Sequence, residues 1–225
     1  MIGTQDVNWI YNIKEHNFKV YSQNGEEGYI EYILSNIGKF NNFCVEFGAG
    51  DGYHLSNSRY FIDKGYASIL LDNEYKGNDD VRLHTIIREN IIALLKTYNC
   101  PKEFDFLSID MDGNDYWVLE RILTHFSPRL IIAEYNPQTS YSGNAVAIKY
   151  NSEFYWGGDD YYGFTFEAGV KLAEKNGYKV VFQNSNMNMY MVRADLLENL
   201  EIPFVKYEKQ YYFKENTIGE WEEIF

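Results

Sequence analysis

The chain reads as one α/β domain, a doubly wound, mostly parallel seven-stranded sheet with an antiparallel last strand. Three observations predict it. From Phe43 onward, short apolar runs alternate with helical periodicities, the β-α repeat that builds parallel sheets. Two strand-like runs then close the pattern with only a turn between them, so the last must run back antiparallel. A length of 225 residues at 45% hydrophobic suits one well-buried core, with no linker or internal repeat to divide it.

Residues 1–40 form an amino-terminal lid and helix. Within them Tyr29, Ile30, Ile33, Leu34 and Ile37 recur at helical spacing and Gly38 supplies the stop. Gln23, Asn24 and Glu26 form a polar cluster at the helix entrance. Phe43–Phe47 is a short buried strand, apolar except for Glu46, and Gly48, Gly50 and Gly52 follow at alternate positions. Lacking Cβ, these glycines can take positive φ and let a ligand lie against the backbone. Asn57–Gly65 reads as a helix. Ser68–Leu71 is a second apolar strand, with Asp72 at its carboxyl end where an acid can grip both hydroxyls of a ribose. This is a nucleoside-binding βαβ unit.

Asn73–Val81 is a turn-rich acidic loop, Arg82–Ile87 a third strand, and Glu89–Tyr98 a helix. The fourth strand, Phe104–Asp110, leads into a helix capped by Asn114 or Asp115. Arg129–Tyr135 is the fifth. A helix over Phe164–Asn176 and strands Tyr178–Gln183 and Asn188–Arg193 complete the sheet. Pro137–Gly163 is a substrate-binding insertion, aromatic and polar, better suited to a sugar-binding or lid surface than to a core. The tail, 203–225, packs back on the sheet or forms a homodimer contact.

Composition narrows the partners. A formal net charge of −13 without a Lys/Arg cluster argues against nucleic acid and anionic membranes. The first residues lack the basic-then-apolar pattern of a signal peptide, and no apolar run reaches the ~20 residues that span a bilayer. With Cys44 and Cys100 as the only cysteines, a reduced, cytoplasmic setting is expected.

The glycine spacing selects the ligand. A dinucleotide fingerprint needs G-x-G-x-x-G, which disfavours a nicotinamide dehydrogenase. The acid-x-G-x-G-x-G form found here resembles motif I of class I, Rossmann-like S-adenosylmethionine (SAM) methyltransferases. More broadly, SQNGEEG, VEFGAGDG, RENI, LSIDMDGNDYWVLERI and IIAEYN, in this order, look like the FkbM-type SAM-dependent methyltransferases, with Glu27 where that branch usually has Asp. The resemblance covers roughly residues 20–136, and residues 137–225 have no matching motif. It implies O-methylation of sugars in surface-polysaccharide or natural-product synthesis. Carried over, Glu46, Gly48, Gly50 and Asp72 would hold SAM and Asp110 would face the reaction centre, and Gln23, Ala49, Asn73 and Asp110 complete the expected SAM contacts.

A sugar hydroxyl needs a base, or a cation that lowers its pKa. Asp110, Asp112, Glu134 and His54 are the catalytic candidates at the strand ends. Asp110, Glu134 and Asn136 together suit a hard cation such as Mg²⁺ or Mn²⁺. The metal-free alternative has Asp110 bonding the SAM amino group or a loop amide and Glu134 binding acceptor. His54 follows the glycine loop and is the leading histidine. His84 suits a strand interior and His125 a helix end. His16 reaches the site only if its segment folds over. The acceptor expected is a nucleotide-linked sugar. Tyr141, Tyr150, Tyr155, Trp156, Tyr161 and Tyr162 would cover its ring, and Lys149, Arg88 or Arg59 would offset its phosphates. Rival readings are a SAM enzyme acting on an acid, phosphate or amine, and a non-catalytic nucleotide-binding subunit.

Overall fold

The computed structural model describes residues 9–74, 80–139, 143–184, 187–197, 200, 202, 203, 205 and 219–225. A one-turn helix α1 (Trp9–Asn12) precedes α2 (Glu26–Ile37), which leads into β1 (Phe43–Phe47), α3 (Arg59–Asp63), β2 (Ala67–Asp72) and β3 (Val81–Leu83). Next come α4 (Ile91–Thr97), β4 (Glu103–Ile109), α5 (Asp115–Leu123), β5 (Ser127–Glu134) and β6 (Val146–Ile148). The chain closes with α6 (Phe166–Lys175), β7 (Tyr178–Gln183), β8 (Asn188–Arg193) and β9 (Trp221–Glu223).

Seven strands form one sheet in the order β3-β2-β1-β4-β5-β8-β7. β3, β2, β1, β4 and β5 are mutually parallel, and β8 runs antiparallel between β5 and β7. Strand alternation gives each face its own core. Val45, Phe47, Leu107, Ile109, Ile131 and Met191 point to the face covered by α4, α5 and α6. Cys44, Phe106, Leu130, Ile132 and Tyr190 point to the face covered by α1, α2 and α3. Strand order reverses between β1 and β4, and in open α/β sheets ligands bind beyond the strand ends at such a switch point.

The third strand is shorter than the expected Arg82–Ile87. Its register on β2 runs only from Leu70 to Asp72, and after His84 N–H bonds the Asp72 carbonyl at 2.8 Å there is no further β2 backbone to pair with. The expected helix over Asn57–Gly65 contracts to α3 because Ser56 and Asn57 turn their polar groups onto Glu46 instead. The stretch 137–163 is not all surface. Its β6 pairs antiparallel with β9, and Ala147, Ile148 and Tyr162 are buried. Tyr141, most of the tail, and residues 75–79 of the acidic loop lie outside the described residues. No helix among the described residues is long and apolar enough to cross a membrane.

Candidate functional site

The carboxyl ends of β1, β2 and β4 open onto a cavity of about 660 Å³, within the range of small-molecule sites. One wall is the glycine turn. Gly48 sits at φ +70°, and a Cβ built there would lie 1.7 Å from the Asp110 carbonyl oxygen, so only glycine lets β1 and β4 meet. Gly50, at φ +52°, donates its N–H to Asp72 Oδ2 at 2.9 Å, while the space where its Cβ would stand is open. Asp72 Oδ1 accepts from Glu74 N–H at 2.8 Å. The carboxylate at the end of β2 is thereby fixed against the glycine turn, with Asn73 beside it on the cavity wall.

Two of the expected SAM contacts lie behind this wall rather than on it. Ala49 is buried, its N–H bonding Leu71 O at 3.2 Å. Glu46 is buried beneath the turn and accepts from Ser56 Oγ and Asn57 N–H, both at 2.7 Å. Burial pushes the Glu46 carboxyl up, and these bonds pull it back. Its contribution is to hold Asn57, which does line the cavity and which bonds Ser108 Oγ at 2.9 Å.

The entrance to α2 forms the opposite wall. Gln23 and Glu26 line the cavity. Glu26 Oε1 accepts from Asn184 and Asn188 at 2.9 and 3.3 Å, and its Oε2 from Asn24 N–H at 2.6 Å. Beside it, Glu27 Oε1 accepts from the N–H groups of Val20, Tyr21 and Ser22, and its other oxygen from the Ser22 hydroxyl. A carboxylate in this nest ties the incoming chain to the helix start. The linking role of Asn184 and Asn188 was not legible, since nothing in their own stretch marks a site.

The acid end of the cavity is built by the turn after β4. Asp115 Oδ1 and Oδ2 accept the N–H groups of Met111 and Gly113, each at 2.8 Å, and curl the turn. Asp112 is held at φ +54°, a left-handed conformation uncommon outside glycine. Asp110, Asp112 and Glu134 each bring a carboxylate oxygen to within 4.8 Å of the others. Asp110 and Glu134 lie close enough for the charge of Asp110 to act on the Glu134 carboxyl. Asp110 touches the water of the cavity, yet the cleft walls enclose it. That enclosure, then the charges of Asp112 and Asp115, raises its pKa. Asp112 is pushed up to about 6 by burial and by Asp115, and burial, then the Asp110 charge, holds Glu134 well above its ordinary value.

Asn136 does not join this cluster. Its oxygen accepts from the N–H groups of Gln138 and Thr139, both at 3.0 Å, and its nitrogen donates to the carbonyls of Asp160 and Tyr162. It braces the chain after β5, and Asp112 takes the third place. His54 lies at the cavity mouth, with Nδ1 2.5 Å from Asp51 Oδ2, and that bond raises the imidazole pKa. His84 bonds Tyr98 at 2.5 Å, His125 bonds Thr124 at 2.7 Å, and His16 stacks on Tyr32.

The expected basic residues are not gathered at the cavity. Lys149 pairs with Glu220 at 2.6 Å and Arg59 with Asp63 at 2.5 Å, while Arg88 pairs with Glu89 at 3.5 Å and lies over the Tyr150 ring. Of the expected aromatic residues, Tyr155 and Trp156 line the cavity, joined by Phe154, which periodicity did not single out. Tyr150 and Tyr161 line a neighbouring cavity of about 470 Å³.

No family model matches the chain, and no curated protein matches it either. Among solved structures, magnesium protoporphyrin IX methyltransferase from Synechocystis, with bound S-adenosylhomocysteine (SAH), is similar at a TM-score of 0.44 and 10% identity, over 75% of this chain and 81% of its own. A putative O-methyltransferase from Klebsiella pneumoniae is similar at 0.43 and 13%, over 86% and 91%. An O-methyltransferase from Bacillus cereus with SAH is similar at 0.34 and 16%, over 60% and 69%. The sheet order and the reversed β8 make this chain a Rossmann-like α/β fold of the class I methyltransferase type. The FkbM-type resemblance rests on the sequence motifs alone.

Proposed function

We propose that the protein is a SAM-dependent O-methyltransferase acting on a sugar hydroxyl. The observation that carries this is the placing of two different carboxylate sites in one cavity. Asp72 is fixed on the turn that a nucleoside approaches, and the Asp110, Asp112 and Glu134 group stands across the β1–β4 switch. The open space at Gly50 and the carboxylate beside it fit an adenosine ribose, with Gln23 and Asn73 on the same walls. SAM bound there supplies a methyl group activated on a sulfonium.

The chain's own residues have three tasks. Asp72 and the glycine turn orient the donor, because an in-line displacement is accelerated chiefly by alignment. The aromatic strip Phe154–Trp156 covers the acceptor. The Asp110–Glu134 pair takes the proton. Two neighbouring carboxyls with raised pKa resist ionising together, so one keeps its proton while an oxygen of the other accepts the hydroxyl proton as the new C–O bond forms. Surface-glycan or natural-product synthesis is the setting that the FkbM-type resemblance implies.

A second reading concerns the same acids. Oxygens within 4.8 Å of one another match the span of ligands around one hard cation, whose bonds run ~2.0–2.6 Å. Asp110, Asp112 and Glu134 would hold Mg²⁺ or Mn²⁺, which would supply acidification of the hydroxyl. Exhaustive chelation separates the two. Turnover lost in EDTA and restored by Mg²⁺ or Mn²⁺ assigns the acids to a cation, and full turnover in EDTA leaves the pair as base.

The donor assignment is tested by calorimetric titration with SAH. Wild-type protein binds, and Asp72→Asn weakens binding at least about tenfold, as expected when charge-assisted bonds worth ~1.5–3 kcal/mol become neutral ones. Equal affinity in the two proteins rejects the assignment.

A further inference from the structure

The charge and shape of the cavity bear on what the acceptor is. Among the described residues lining it are five carboxylates, of Glu26, Asp72, Glu74, Asp110 and Asp112, and no lysine or arginine. Glu134, buried beside them, brings a carboxylate oxygen within 4.8 Å of those of Asp110 and Asp112. Like charges in an enclosed cleft repel far more strongly than in open water. A diphosphate brought here would add two or more negative charges to that field. A divalent cation on Asp110, Asp112 and Glu134 would still leave Glu26 and Glu74 on the wall.

The aromatic strip supplies the attractive half of the argument, and it is locked to the acid turn. A Cβ on Gly113 would lie 2.8 Å from the Phe154 ring, so glycine there lets the ring press against the turn that carries Asp110 and Asp112. Asn114 and Asn151 exchange bonds, Nδ2 to the Asn151 carbonyl at 2.8 Å and Asn151 N–H to Oδ1 at 3.4 Å. Gly163 N–H bonds the Gly113 carbonyl at 3.1 Å. Trp156 is held by its indole N–H on Asp159 O at 2.8 Å. Between Phe154 and Trp156, Tyr155 is 75% exposed and lines the cavity. Aromatic faces beside carboxylates attract the C–H face of a sugar and, more strongly, a substituent ammonium.

We infer that the acceptor is a non-anionic carbohydrate, a neutral or amine-bearing sugar lying on the Phe154–Trp156 strip, rather than a nucleoside diphosphate sugar. The inference rests on the methyl-transfer reading, and it names the substrate class of that same site. Specificity arises here by repulsion as well as attraction, since the acids that serve the chemistry also exclude phosphates.

The test uses the full chain with SAM and matched acceptors. Each sugar is offered as its methyl glycoside, as the amino-deoxy glycoside, and as the nucleoside diphosphate conjugate, with Mg²⁺ and separately in EDTA. The gain of one methyl is read by mass spectrometry, and SAH affinity is measured alongside by calorimetry. The expected result is a kcat/KM for neutral or amine-bearing glycosides at least about tenfold above that for the nucleotide conjugates, reflecting charge repulsion at the site. Tyr155→Ala should raise KM for those glycosides about tenfold, the scale of a desolvated aromatic contact, with SAH affinity unchanged. Preference for the nucleotide conjugates, an unchanged KM in Tyr155→Ala, or no turnover of any glycoside while SAH binds would each overturn the inference and leave the donor site standing. Absence of SAH binding would overturn the methyl-transfer reading itself.

Discussion

Replacing Asp112 by asparagine should make the metal-free protein more stable at pH 8 and leave it unchanged at pH 4. Asparagine keeps the shape of the side chain and is among the residues that best tolerate the φ of +54° at this position, so the substitution removes little but charge. Burial, then the Asp115 carboxylate, pushes Asp112 from the ordinary 3.8 to about 6. Between those two values the folded protein keeps a proton that the unfolded chain has released. Stability from this group is therefore full below about pH 4 and is lost as pH rises through 6. A shift of about two units sets ~3 kcal/mol as the ceiling, and the cavity water beside the half-buried side chain lowers the expected gain to about 2 kcal/mol. Urea unfolding in EDTA at the two pH values measures it, with midpoints compared at equal slope. Equal stability at pH 8, or a less stable variant, would show that the Asp112 charge is compensated in the fold and would refute the electrostatic account of the acid turn. Added Mg²⁺ that stabilises the wild type but not the variant would point to the cation reading.

Three further outcomes are expected. Gly48→Ala should abolish SAH binding and lower stability by roughly 3 kcal/mol, because its Cβ would stand 1.7 Å from the Asp110 oxygen and force β1 and β4 apart; retained affinity in calorimetry would show that the turn relaxes. Glu27→Gln should cost about 2 kcal/mol in urea unfolding, since three backbone N–H groups lose a charged acceptor. Asp51→Asn should lower the His54 titration midpoint, followed by NMR, because the Asp51 bond is the main cause raising it; an unmoved midpoint would mean the pair does not form in solution.

The elements legible in the sequence are those specified locally. α2 spans Glu26–Ile37 and β1 spans Phe43–Phe47, as their periodicity and bounding glycines indicate. Asp72 at the end of β2 and Asp110 after β4 followed from strand polarity alone. What failed was set by distant partners. β3 ends where β2 runs out of backbone. β6 exists because β9, far along the chain, pairs with it, and a three-residue strand carries no signal of its own. Asn136 looked like a ligand at a strand end, yet its amide is occupied by the chain that follows β5. Alternation already sets Asp112 on the face of Asp110, and across the turn, where Asp112 takes a φ of +54°, its carboxylate still reaches both Asp110 and Glu134.

At the acid turn, local and global preferences conflict. Three devices hold it: the two N–H groups on Asp115, the glycine that lets β1 touch Asp110, and a non-glycine residue in the left-handed region. Each is spent on bringing Asp110 and Asp112 together against their mutual repulsion, beside a buried Glu134 that adds to it. A core element would be more stable with any of these acids made neutral. Strain of this kind persists where binding or chemistry requires it, because activity and stability compete for the same residues. A shared proton relieves one charge of the three, and a divalent cation would relieve two. The pH at which Asp112→Asn ceases to stabilise therefore reports on the neutraliser. Without metal the gain grows through pH 6, whereas with a bound cation the wild type recovers it.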